Sequence, residues 1–79
     1  MAEKLRQVRT SLGLSQKEIS VRLGYQDSRI RIARSSISDY ERGKREPPLI
    51  ILYAYAKLAN VYMDVLIDDA LDLPNTIAE

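Results

Sequence analysis

Apolar residues recur along this chain at the three- and four-residue spacing of helices, in stretches broken by Gly, Pro and Asn, and no stretch reads as a paired strand. Leu5, Val8 and Leu12 share one face of a first helix, and Gly13 lies just past its end, where a left-handed cap is favoured. Ser15-Gln16-Lys17-Glu18 spells a capping box, in which a hydroxyl and a carboxylate satisfy backbone N–H groups at a helix start. The helix it opens buries Ile19 and Leu23 and closes at Gly24. Ser36 to Arg42 forms a short third helix with Ile37 and Tyr40 inward, stopped by Gly43. Pro47-Pro48 fixes the start of a fourth, along which Leu49, Leu52, Ala56 and Ala59 continue on one face until Asn60 takes the left-handed position. A fifth helix runs from about Tyr62 to Asp69, with Met63, Leu66 and Ile67 apolar.

Length turns this pattern into an all-α expectation for one compact five-helix domain, residues 1–72, with a C-terminal tail over 73–79. With no Cys in the chain, stability rests on apolar packing rather than disulfides or a Cys-based zinc site. The longest apolar run, Leu49 to Ala56, is far shorter than the roughly 20 residues of a membrane span. No apolar signal core follows the charged Met-Ala-Glu-Lys-Leu-Arg start, so a cytoplasmic protein with no membrane partner is expected. Net charge is only +1, yet residues 1–48 hold 11 Lys/Arg against 6 Asp/Glu while residues 49–79 hold 1 against 5. One part of the domain is therefore suited to a polyanion and the other is not. Asp64, Asp68, Asp69 and Asp72 are the obvious metal or acid–base candidates. Without His or Cys the commonest bases and transition-metal ligands are missing, and these carboxylates more simply solvate a helix end. No enzyme activity, catalytic residue, metal or cofactor is expected.

Three blocks carry a family resemblance: Leu-Gly-Leu-Ser-Gln-Lys-Glu-Ile at 12–19, Ile-Ser-Asp-Tyr-Glu-Arg-Gly-Lys at 37–44, and Pro47 followed by Leu49 to Leu66. In that order they resemble the Cro/C1-type (XRE) helix-turn-helix family over about residues 2–67. The resemblance implies a lambda-repressor-like domain that binds double-stranded DNA and regulates transcription, with helix 3 in the major groove. Base contacts then fall on Arg34, Ser35 and Asp39. Arg34 has the fork that grips guanine O6 and N7, Ser35 can donate or accept, and Asp39 can accept from cytosine N4 or instead orient Arg34. Gln16 at the start of helix 2, Ser38, and Lys44 and Arg45 after Gly43 are implied phosphate contacts. Arg9 and Glu41 match a structural pair that ties helix 1 to the recognition helix.

The chain departs from the family between Gly24 and Ile37, where Tyr25 to Ser36 adds about seven residues. Ile30, Ala33, Ile37 and Tyr40 keep helical phase, so the insert can be read as a backward extension of helix 3. Two added turns would span roughly 10 Å, leaving only Tyr25 to Asp27 to bridge back, which favours an extruded loop. Arg29, Arg31 and Arg34 would then form a basic finger on the DNA side that extends the phosphate contacts, or the segment is a loop with ordinary solvated arginines. Helix 4 is apolar on more than one side, which points to a homodimer contact including Ile50 and Val65, or to packing under the tail. Tyr62 stands where the family places Ser or Thr, so helix 5 lacks its capping box. A rival reading is an antitoxin-type module that covers a toxin with helices 4 and 5 and binds DNA to regulate its own operon.

Overall fold

Local chemistry sets the start of the second helix and the ends of the first, third and fourth. In the computed structural model, which describes residues 1–68, 70, 71 and 73, the described chain forms α1 (Ala2–Ser11), α2 (Gln16–Gln26), α3 (Arg34–Glu41), α4 (Leu49–Ala59) and α5 (Met63–Ile67), with no strand. Asp69, Asp72 and the tail residues 74–79 lie outside the described residues. The Ser15 hydroxyl accepts from the Glu18 N–H at 3.0 Å while the Glu18 carboxylate accepts from the Ser15 N–H at 2.8 Å, completing the capping box. Those two bonds hold the Glu18 carboxyl below the usual glutamate range. Gly13, Gly43 and Asn60 all take positive φ at 71°, 73° and 57°, as their positions after α1, α3 and α4 require.

The core forms where α4 lies against α1, α2 and α5, with α3 closing over α1 and α2. Ile51, Leu52, Tyr55, Leu58 and Ala59 of α4 meet Leu5, Val8, Ile19, Leu23, Ile37, Tyr40 and Leu66, all buried. Two expectations for α4 change here. Leu49 is 68% exposed rather than part of the core, because the run Leu49-Ile50-Ile51-Leu52 carries no phase and the inward face is set by Ile51 and Tyr55. Most of the helix's apolar excess is also covered within one chain, with seven of its residues buried.

The insert resolves as a loop over residues 27–33. Helix α2 does not close at Gly24 but runs on to Gln26. The loop folds back over the helix, so that a Cβ at Gly24 would lie in ordinary van der Waals contact, 3.5 Å, with the Ile30 carbonyl oxygen. Asp27 organises the turn: its carbonyl accepts from Ile30 N–H at 2.9 Å and its carboxylate from Arg29 N–H at 2.9 Å. Ile30, only 5% exposed, is thereby driven into the core. Helix α5 is shorter than the Tyr62–Asp69 span expected of it, and Tyr62 caps nothing with its side chain. Instead the Lys4 ammonium donates to the carbonyls of Val65 (2.8 Å), Asp68 (2.5 Å) and Leu71, tying the C-terminal end of α5 to α1.

Candidate nucleic-acid interface

A network centred on Glu41 fixes how α3 sits against the first two helices. The Arg9 guanidinium forks onto the Glu41 carboxylate, Nε donating at 2.7 Å and Nη2 at 3.0 Å, and its Nη1 donates to the Leu14 carbonyl at 3.0 Å. The side chains are 16% and 4% exposed, and the Glu41 bond holds Arg9 charged more firmly than usual against the opposing cost of its burial. Gln16 Nε2 donates to Glu41 Oε1 at 3.3 Å. One carboxylate therefore joins α1, the first residue of α2 and the last residue of α3. The expected Arg9–Glu41 pair is present with the geometry a bidentate pair needs. Beside it, burial pushes the Tyr55 phenol well above its ordinary range, with the Glu41 charge adding to the effect, and the hydroxyl is buried without a hydrogen-bond partner among the described residues.

On the outer side of that network lies an open cleft of about 500 Å³, lined by Gln16, Ala33, Arg34, Ser35, Ser38, Asp39 and Arg42. The structure thus brings together Gln16, Arg34, Ser35, Ser38 and Asp39, the residues that the family resemblance implies for DNA contact. Arg34 and Ser35 open α3 and are exposed. Asp39 does not orient Arg34: its carboxylate takes Arg42 Nη2 at 3.3 Å and lies 4.0 Å from Arg45 Nη1. An acidic group on this face is in this way compensated by two guanidiniums. Lys44 and Arg45 follow directly, their N–H groups donating to the Asp39 carbonyl at 2.9 and 3.4 Å, with the Arg45 guanidinium 5.5 Å above the Tyr40 ring centroid.

The insert divides its arginines. Arg31 is exposed on the segment leading into α3. Arg29 is gripped by Asp27 at 2.7 and 3.0 Å, which holds the Asp27 carboxyl down at about 2. It lines a different, mostly apolar groove with Leu49, Ile50, Tyr53 and Met63, so the two residues do not make a single finger. Ile50 and Val65 are half-buried, the former in that groove and the latter with its carbonyl held by Lys4.

Two residues of the cleft wall, Ala33 and Arg42, were not among those the sequence singled out. Arg42 had a signal, since it follows Asp39 at i+3 on the recognition helix. Among the described residues no group of acidic side chains is placed to hold a metal ion, and no helix is long and apolar enough to cross a membrane. A helix-turn-helix family model matches residues 5–66 of the chain. No curated protein and no solved structure matches it.

Proposed function

This chain belongs to the Cro/C1-type helix-turn-helix family of DNA-binding regulators, and on that premise we propose that it reads a specific operator through the outer face of α3. The observation that carries the proposal is the cleft, where the start of α2 and the outer face of α3 present amide, hydroxyl and guanidinium groups on one open surface. Arg34 takes guanine O6 and N7, Ser35 an adjacent base edge, and Asp39 a cytosine amino group. Gln16, Ser38, Lys44, Arg45 and Arg31 take phosphates, positioning the helix without reading sequence. Arg29, already held by Asp27, is left out of this set.

A recognition helix spans only a few base pairs, so specificity calls for two copies on half-sites one helical turn apart. The groove of Leu49, Ile50, Tyr53 and Met63 is the apolar surface that supports a homodimer, with the half-buried Val65 of α5 as a further contact in this reading. Occupancy of such a site in the cytoplasm would by itself act as repression, by keeping other proteins off that DNA. Selection of bound duplexes from a random pool tests the reading: a near-palindromic consensus is expected. Enrichment of nothing would overturn it and favour a module that covers a protein partner such as a toxin.

A further inference from the structure

Three elements line the apolar groove beside α4. The insert contributes Arg29, α4 contributes Leu49, Ile50 and Tyr53, and α5 contributes Met63. Leu49 and Tyr53 are more than half exposed, so the groove presents apolar surface to water.

Arg29 is set in place on this groove. Asp27 takes its Nε and Nη2, and Nη1 has no partner among the described residues. A guanidinium already held by two bonds loses little freedom when it meets a second carboxylate. Lys57 of α4 also lies near enough to help lower the Asp27 carboxyl, and its ammonium is 5.3 Å from the Tyr53 ring centroid. Two cations thus answer one carboxylate, and the insert side of the groove is net positive. On α5 the sign reverses. Asp64 follows Met63 and is exposed, its carboxylate makes no bond or ion pair among the described residues, and the helix carries no basic residue.

In a two-fold interface a patch meets its own image, so that where residue i touches j, j also touches i. A groove that is basic at the insert and acidic at α5 is complementary to itself in that arrangement. We infer that the occupant of this groove is a second copy of the chain, docked so that Arg29 of each copy pairs with Asp64 of the partner subunit. The inference rests on the homodimer reading of the groove. It assigns the insert to partner choice rather than to holding DNA, because paired charges across an interface set register and exclude wrong partners.

Two charge reversals and their mixture test the pairing, by analytical ultracentrifugation of the full chain. The native chain should self-associate. Arg29→Glu and Asp64→Lys should each weaken self-association about 10- to 100-fold, because each brings like charges together twice per dimer. Mixed one to one, the two variants should associate with native affinity, since both contacts then join opposite charges. Mixing cannot repair a turn opened by Arg29→Glu, and Asp64→Lys removes no side-chain bond within the described chain, so rescue reports the pairing itself. Self-association that neither reversal changes, or a mixture no tighter than the separate variants, would overturn the pairing with the homodimer reading intact. A native chain that stays monomeric alone and binds its enriched duplex one to one would overturn that reading too, and leave the groove to a different protein.

Discussion

The two faces of α3 are held in opposite ways. Inward, Ile37 and Tyr40 are 0% and 2% exposed, and Glu41 is bonded to Arg9 and Gln16 on two other helices. Outward, Arg34 and Ser35 stand in solvent, and Asp39 is paired only with arginines that are themselves 57% exposed. Ion pairs of that kind contribute about 0–1 kcal/mol, whereas breaking a buried pair typically costs roughly 3–5 kcal/mol. An eight-residue helix thus separates holding from reading by face, and substitutions on the two faces should affect different measurements.

The largest effect is expected on the inner face. Glu41→Ala leaves the Arg9 guanidinium largely buried and unpaired and should cost about 3–5 kcal/mol in thermal or urea unfolding. A loss near that of a surface pair would mean the network does not hold α3. On the outer face, Lys44→Ala with Arg45→Ala should leave unfolding almost unchanged. It should lower the log–log salt dependence of DNA binding by about two units, one for each phosphate that these side chains neutralise. An unchanged slope between about 50 and 200 mM salt would remove the loop after Gly43 from the interface.

The smallest effect concerns the insert, which belongs to neither face. The Asp27 carboxyl is held at about 2 by hydrogen bonds from Arg29, below its unfolded value, so its contribution is complete above about pH 4 and is lost as pH falls toward about 2. The Arg29 side chain is 75% exposed and the Asp27 side chain 24%, so water screens the pair and the consequence is local order rather than global stability. A carbon-detected NMR titration should place the Asp27 midpoint near 2, and a midpoint near 4 would show that the turn is not closed by this pair.

Features set by neighbouring residues were legible in the sequence. The Ser15–Glu18 box and the left-handed Gly13, Gly43 and Asn60 depend on chemistry within one turn of chain, and each formed. The Arg9–Glu41 pair was legible only through family resemblance, since nothing local joins residues 32 positions apart. Phase along α4 was not legible, because four consecutive apolar residues fit any face and only packing selects Ile51 over Leu49. Gly24 reads as a stop in the sequence, yet it keeps an ordinary helical φ and α2 runs on to Gln26, because a glycine ends a helix only where the chain takes the left-handed turn, as it does at Gly13 and Gly43. Periodicity puts Ala33 in phase with Ile30, Ile37 and Tyr40, yet residues 30–33 are not helical and Ala33 is exposed on the cleft wall, because the phase of a helix does not carry through a loop.

The most direct measurement of the central claim is methylation interference on the enriched duplex, comparing the native chain with Arg34→Ala. Methylation at guanine N7 blocks the major-groove edge that an arginine fork would occupy. The native chain should be excluded by methylation at one guanine in each half-site, and Arg34→Ala should lose that exclusion, bind about 10- to 100-fold more weakly, and unfold at an unchanged temperature. An interference pattern that Arg34→Ala leaves unaltered, or one that avoids guanine N7 altogether, would contradict the assignment of the outer face of α3 as the reading surface.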